Sequence, residues 1–289
     1  MQIDGYTRLA AVVATPIKHS ISPFIHNYAF EKTGINGVYV AWDIPESELQ
    51  VTLKNIMRYD MFGINISMPY KQAVIPYLDE VTKAADLIGA VNTIVNRDGR
   101  LIGYNTDGFG FFKSLGTFAD FDVADKVITI LGGGGAATAI IAQAAINGAK
   151  KINIFNQTAF LEETKEKAKQ ISSKTGAAIE VFPVEDLNMI QKKVLVSDLF
   201  VNATNVGMDG KSMIINDSFE FPPNLMVADV IYQPFETPFL RLVRSRGLKA
   251  VNGLGMLLFQ AAAAFELWTG KEMPSQEIWQ ALEKKYKSK

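Results

Sequence analysis

The sequence has no cysteine and only two histidines, His19 and His26. Without thiols there is neither a disulfide nor a thiolate metal site, and two imidazoles fall short of an ordinary zinc centre. Both histidines are read as hydrogen-bonding or surface residues, and no metal is expected. An excess of one charge is also missing: 29 basic and 30 acidic residues leave a formal net charge of -1. With no long run of like charge, no nucleic-acid or polyanion surface is announced. No apolar run approaches the ~20 residues that a membrane helix needs. The apolar patch at 9–14 follows Asp4 and precedes Pro16-Ile17-Lys18, unlike the order of a secretory signal. These absences describe a cytoplasmic protein whose partners are small molecules, with no nucleic acid and no membrane. What is present, 289 residues at 48% hydrophobic and 20% charged, is enough for a large core and predicts two domains.

From Arg8 to Thr106 short apolar runs alternate with longer amphipathic ones. Strands are predicted at Leu9 to Thr15, Val38 to Asp43, Phe62 to Ser67 and Ala90 to Asn96. Ser22-Pro23 reads as a capping hydroxyl followed by a first-turn proline, opening a helix to about Lys32 that Gly34 stops. Pro45-Glu46-Ser47 opens another, ending near Tyr59, and Asp98-Gly99 is a hairpin turn leading into Arg100 to Tyr104. This first unit is α/β. After a link around Thr117 to Asp125, a second alternating unit has strands at Lys126 to Leu131, Lys151 to Asn156, Ala178 to Val184, Leu199 to Ala203 and Met226 to Asp229. It is read as a doubly wound sheet. Two further helices, Met256 to Trp268 and Ser275 to Lys287, follow, and Phe265, Trp268 and Trp279 are assigned to the core.

The second unit opens on Ile130-Leu131-Gly132-Gly133-Gly134-Gly135-Ala136-Ala137, an apolar strand joined to an alanine-rich helix by glycine alone. In the fingerprint G-x-G-x-x-G/A the first glycine makes the tight turn, the second lets backbone approach a pyrophosphate, and the third position keeps helix against strand. Gly132, Gly134 and Ala137 fill those places. The helix N-terminus beyond them, from Ala136, favours an anion through its free amides and dipole. A dinucleotide site is therefore predicted here.

Polar groups collect at the strand ends of the first unit, where open α/β sheets bind ligands. They are Lys18-His19-Ser20-Ile21-Ser22, Asn65-Ile66-Ser67-Met68-Pro69-Tyr70-Lys71, Asn92, and Asn105-Thr106-Asp107. Singly, Ser20 and Ser22 can be helix caps, Lys71 a solvated lysine and Asp107 an N-cap. Together they supply hydroxyls for a carboxylate, amides and a hydroxyl for ring alcohols, and a lysine and an aspartate for proton transfer. Such a set suits a small polyhydroxy acid.

Over nearly its whole length the chain resembles the shikimate dehydrogenases, and within them the quinate/shikimate dehydrogenase branch. The matching segments are Pro16-Ile-Lys-His-Ser-Ile-Ser-Pro23, Asn65-Ile-Ser-Met-Pro-Tyr-Lys71, Gly89-Ala-Val-Asn-Thr93, Tyr104-Asn-Thr-Asp-Gly108, the glycine run, Asn202-Ala-Thr204 with Val206-Gly-Met208, and Asn252-Gly-Leu-Gly-Met256. The resemblance implies a catalytic pair, Lys71 and Asp107. It implies Ser20 and Ser22 on the substrate carboxylate, and Ser67, Asn92, Thr106 and Gln260 on the ring hydroxyls, with Tyr232 nearby. Gly132, Gly133, Gly134, Gly135, Ala136, Asn156, Gln157, Thr158, Thr204, Asn205, Val230, Gly253 and Met256 would hold the cofactor. It also implies a substrate domain of residues 1–110 plus 255–289, a Rossmann-type dinucleotide-binding domain of residues 111–254, and a monomer or homodimer. The reaction implied is reversible hydride transfer between a nicotinamide and a ring carbon, reducing 3-dehydroshikimate to shikimate. Quinate as the main substrate, and a dinucleotide-binding sensor without activity, are the alternatives. Retention of both Lys71 and Asp107 argues against the sensor, and Ser67, where threonine is common in shikimate-specific relatives, mildly favours a broader substrate range.

In one place the chain departs from the family pattern. Members typically read Asn-Arg-Thr after the second strand of the dinucleotide domain, with another arginine close by, and those cations embrace the 2′-phosphate of NADP. Here the segment is Asn156-Gln157-Thr158-Ala159-Phe160-Leu161. Both arginines are missing, and the acid that strict NAD enzymes carry is missing too, Glu162 being the first carboxylate. An amide bonds ribose hydroxyls but does not neutralise a phosphate, so the reading leans to NAD over NADP unless Lys150, Lys151 or Lys165 reaches round.

Overall fold

The structure, a computed structural model, describes residues 3–287. The chain forms two compact units. One runs through Thr106 and takes up Leu258–Lys284, and the other holds Asp107–Leu257 and the chain from Lys285.

The first unit contains β1 (Arg8–Ala14), α1 (Ser22–Thr33), β2 (Gly37–Asp43), α2 (Leu49–Arg58), β3 (Gly63–Ile66), β4 (Glu80–Val81), α3 (Lys83–Ile88), β5 (Thr93–Arg97) and β6 (Arg100–Tyr104). Its sheet has the order β2-β1-β3-β5-β6-β4 and is mixed. Strand β1 is parallel to β2 and β3, whereas β5 is antiparallel to β3 and β6. The turn joining β5 to β6 is the expected Asp98-Gly99 pair, with φ of 53° and 80°, the left-handed values of a tight hairpin. Leu49, Leu53 and Ile56 recur at helical spacing on α2 and pack with Ala11, Val13, Ile64 and Ile66.

Ser22 is the first residue of α1 and not its cap. The cap position is Ile21, no side chain caps the helix, and the Ser22 amide instead donates to Ser20 Oγ at 3.2 Å. His26 also departs from expectation, for it is neither at the surface nor hydrogen-bonded. It is fully buried, its ring stacks on Tyr39 with centroids 4.2 Å apart, and neither ring nitrogen has a partner. The aromatic cluster around it, completed by Trp268 and Phe265, favours a flat neutral ring over a charged one. His19 is exposed.

The second unit begins with α4 (Asp107–Ala119) and continues with β7 (Val127–Leu131), α5 (Gly135–Ile146), β8 (Lys151–Asn156), α6 (Leu161–Thr175), β9 (Ala178–Pro183), α7 (Leu187–Val194), β10 (Leu199–Asn202), β11 (Met226–Asp229), α8 (Pro238–Ser245) and β12 (Ala250–Val251). Residues 117–125, read from sequence as a link, lie inside this unit. The reason is α4, whose Gly108 lies so close to Ala139 and Gln143 of α5 that a methyl group there would collide with them. All strands are parallel, in the order β12-β11-β10-β7-β8-β9. Counted from β7 as the first, this is the 3-2-1-4-5-6 order of dinucleotide-binding sheets, with the switch point between β7 and β10.

Two helices close the described chain, α9 (Leu254–Thr269) and α10 (Ser275–Lys287). In the first unit, the indole N–H of Trp268 donates to Ile94 O at 3.0 Å, and Gly63, at φ 153°, leaves room for the ring. Phe265 and Trp268 are buried as expected, whereas Trp279 is only half-buried. The short β4, β12, α3, α7 and α8 have no counterpart in the sequence reading.

Candidate active site

In the first unit, β1 and β3 are parallel neighbours, so the segments leaving their carboxyl ends emerge side by side. One carries Ser20 and Ser22; the other carries Ser67 and Lys71. Ser67 is held by its amide to Val13 O at 3.0 Å. The Lys71 carbonyl accepts from the Val91 amide at 2.8 Å, which fixes its backbone next to Asn92. Lys71, Ser67 and Ser20 are half-buried, and Ser22 is buried.

Asn92 and Thr106 are buried and bonded to each other. Asn92 Oδ1 accepts the Thr106 amide at 2.8 Å, and Asn92 Nδ2 donates to Thr106 Oγ1 at 3.0 Å. Thr93 Oγ1 donates to Asn92 Oδ1 at 2.9 Å and accepts from Asn65 Nδ2 at 3.0 Å. Asn65 Oδ1 in turn accepts the Tyr39 hydroxyl at 2.7 Å. Burial pushes that phenol well above its ordinary pKa, so it stays protonated. A continuous buried network therefore runs from Tyr39 through Asn65 and Thr93 to Asn92 and Thr106. Asn92 and Thr106 are residues singled out in the sequence; Asn65 and Thr93 fall in its motif segments with no role of their own, and Tyr39 was missed. A network with every member satisfied fixes side-chain orientation, which recognition of ring hydroxyls requires. Gln260 lies on α9 in this unit, half-buried.

Asp107, at the first turn of α4, belongs to the second unit and is buried. In that unit the glycine loop follows β7. Gly132, at φ 111°, lies against Ala203 O and the Thr204 methyl, and a side chain on Gly133 would strike the Asn156 amide and Thr164. Gly134 and Gly135 differ: a Cβ on either would meet no protein atom within 4 Å. Protein packing thus explains the first two glycines, and open space above the loop is left by the other two, at the uncapped N-terminus of α5. Ala136 follows in the first turn, and Ala137 is fully buried, as close helix-strand packing demands.

Around the switch point, Thr204 Oγ1 donates to Asn202 Oδ1 at 2.7 Å and accepts the Val206 amide at 3.1 Å. Gly253 lies directly on the Val230 backbone, where any side chain would collide, and its amide donates to Ile231 O at 3.0 Å. Asn205 is exposed, Met256 lies in the first turn of α9, and the Tyr232 ring meets Tyr286 edge to face at 6.0 Å. The carboxyl ends of β7, β10 and β11 therefore carry the glycine loop, Thr204 and Val230 in one row. Buried Asp229 ties that row together, accepting from Asn202 Nδ2 at 3.1 Å, the Ile231 amide at 3.0 Å and Thr237 Oγ1 at 2.7 Å. Burial outweighs these bonds and raises its carboxyl above the ordinary value.

After β8, Asn156 turns inward, its Nδ2 donating to Thr164 Oγ1 at 2.9 Å and its Oδ1 accepting the Gln157 amide at 2.9 Å. Gln157 and Thr158 are exposed. Among the described residues, no group of three or more His, Asp or Glu side chains is placed to hold a metal, and no helix is long and apolar enough to cross a membrane.

Residues 12–94 match the shikimate dehydrogenase substrate binding domain, and residues 253–283 the shikimate 5'-dehydrogenase C-terminal domain. The shikimate dehydrogenase (NADP(+)) of Streptococcus suis strain 05ZYH33 is 62% identical over 286 residues, 99% of each chain. Among solved structures, shikimate 5-dehydrogenase from Listeria monocytogenes in complex with shikimate and NAD has a TM-score of 0.93 at 42% identity, covering 98% of both chains. Quinate dehydrogenase from Corynebacterium glutamicum in complex with NAD has a TM-score of 0.86 at 27% identity, covering 96% of this chain and 98% of that one. On this fold, with these two sets of residues and full-length relatives of this identity, the chain belongs to the shikimate dehydrogenase family.

Proposed function

We propose that the protein catalyses the reversible, NAD(P)-dependent reduction of 3-dehydroshikimate to shikimate. The observation that carries the reading is the buried network of the first unit, which fixes Asn92 and Thr106 beside the segment bearing Ser67 and Lys71. A nicotinamide, when bound, supplies or accepts the hydride. The chain's own contribution is position and a proton. Ser20 and Ser22 take the substrate carboxylate; Ser67, Asn92, Thr106 and Gln260 take ring hydroxyls, with Tyr232 at the edge. Lys71 and Asp107 form the pair that moves the proton at the reacting oxygen. The first unit, with α9 and α10, is the substrate domain, and the second is the dinucleotide domain. Its glycine loop, Thr204, Asn205, Val230, Gly253 and Met256 cradle the cofactor.

NAD is the preferred cofactor in this reading. Lys151 opens β8 and Lys150 precedes it, at the opposite end from Asn156, five residues of strand or roughly 16 Å away. Lys151 is moreover paired with Glu180 at 2.7 Å, and Lys165 with Glu162 at 2.6 Å. Purified protein with shikimate or quinate, and with NAD or NADP, followed by absorbance of the reduced cofactor, tests the reading. The highest kcat/KM is expected for shikimate with NAD. Silence in all four mixtures overturns the enzyme assignment in favour of a dinucleotide sensor, faster quinate oxidation overturns the substrate, and preference for NADP overturns the cofactor.

A further inference from the structure

The loop after β8 is where the adenosine ribose lies against a sheet of this order. In this chain the donors that an anion would seek there are already occupied. The Thr158 amide donates to Glu185 Oε1 at 3.3 Å, and the Thr158 hydroxyl donates to Glu185 Oε2 at 2.9 Å. The Gln157 amide is held by Asn156 Oδ1.

Glu185 comes from the turn after a different strand, β9. Chains β8 and β9 run in register to Asn156 and Pro183, and the Val184 amide donates to Asn156 O at 2.8 Å. That places the next residue beside the loop. Its own amide, then the amide and hydroxyl of Thr158, hold its carboxyl below the ordinary glutamate range. It is charged throughout the neutral region. No arginine occurs between Asn156 and Leu195 to compensate it.

We propose that Glu185 sets the dinucleotide preference: its carboxylate sits on Thr158 where a 2′-phosphate would have to bind, excludes that phosphate, and offers acceptor oxygens to ribose hydroxyls instead. The inference rests on the NAD(P) reading and adds the residue responsible. A phosphate of charge near -2 brought against a fixed carboxylate is repelled, and it also finds the Thr158 donors taken. A ribose hydroxyl donates to the same carboxylate. The acid that NAD-specific sheets carry at the end of the second strand is thus supplied here from beyond the third.

Glu185→Gln removes the charge at an exposed position and keeps a side chain able to accept from Thr158. Calorimetric titration with 2′,5′-ADP and with 5′-AMP reads the effect without turnover. Affinity for 2′,5′-ADP is expected to rise about tenfold or more, while that for 5′-AMP changes far less. In turnover, kcat/KM with NADP rises by a similar factor and that with NAD falls severalfold. Raising ionic strength is expected to lift the NADP-to-NAD ratio of the unaltered protein and to leave that of Glu185→Gln flat. Unchanged 2′,5′-ADP affinity in a variant with unaltered melting temperature overturns the role of Glu185. If shikimate is turned over and the ratio is the same in both proteins, this inference alone fails. If neither protein turns over any substrate, the enzyme reading fails, and the 2′,5′-ADP titration still decides Glu185.

Discussion

The two units build their sites from opposite materials. In the first, the candidate residues are side chains that hold one another: Tyr39, Asn65, Thr93, Asn92 and Thr106 form a buried chain of hydrogen bonds across β2, β3, β5 and the segment before α4. In the second the candidate site is backbone and missing side chains, with Gly134 and Gly135 open to space and Gly132 and Gly133 pressed on protein. A small ring with many hydroxyls has to be met by groups of defined direction, whereas a pyrophosphate is met by amides and a helix end. The first kind of site is damaged by altering a polar atom; the second by adding a carbon.

The largest expected effect follows from that contrast. Lys71→Ala should lower kcat by about 10²- to 10⁴-fold, the usual contribution of a positioned proton-transfer group, with dinucleotide affinity retained because the glycine loop is untouched. Stopped turnover with normal cofactor titration is the expected pattern, and normal turnover removes Lys71 from the mechanism. Next comes acid stability. Burial lowers the His26 pKa to about 3 from its ordinary 6.5. Its folded value is depressed, so between those two values the unfolded chain holds a proton that the folded chain does not, and stability falls as pH falls. By pH 4 the loss amounts to about 3 kcal/mol. Asp229 has the opposite sign: its folded value is raised, so it favours the folded state as pH falls. Acid unfolding should therefore begin in the first unit, and His26→Phe should flatten the fall of melting temperature between pH 6.5 and 4. An unchanged pH profile counts against this account. The smallest effect separates two adjacent glycines. Gly133→Ala should cost about 1–3 kcal/mol in a melting experiment, since its methyl meets Asn156 and Thr164. Gly134→Ala should melt like the unaltered protein and show its loss only in cofactor titration. Equal melting temperatures for the two would break the distinction between packing glycines and ligand glycines.

The sequence made the second sheet legible because Val127–Leu131 and Leu199–Asn202 are short, mostly apolar runs, as strands buried on both faces are, while Lys151–Asn156 alternates polar and apolar residues between turn signals. Lys151–Asn156 and Met226–Asp229 are predicted to the residue. The two-residue strands β4 and β12 and the one-and-a-half-turn α3 escaped, being too short to show a period. The catalytic candidates were legible as motifs. Their supports were not: Tyr39 looks like any strand aromatic until its hydroxyl is seen on Asn65. Glu185 was invisible for a different reason. It reaches the ribose loop through strand pairing, and no local pattern links it to Thr158, 27 residues away. His26 was misread because an isolated histidine says nothing of the rings packed around it.

The indole of Trp268 bonded to Ile94 has a consequence for how the molecule is made. Synthesis runs from the N-terminus, so the strands of the first sheet emerge early and wait for Trp268, which the chain reaches only after β12. The second sheet, begun later, has all its strands by Val251. On the ribosome the second sheet is therefore complete before the first unit receives its covering helix. A chain broken off before residue 258 would hold every strand of both sheets, yet leave the aromatic face of the first, with His26 and Phe30, bare.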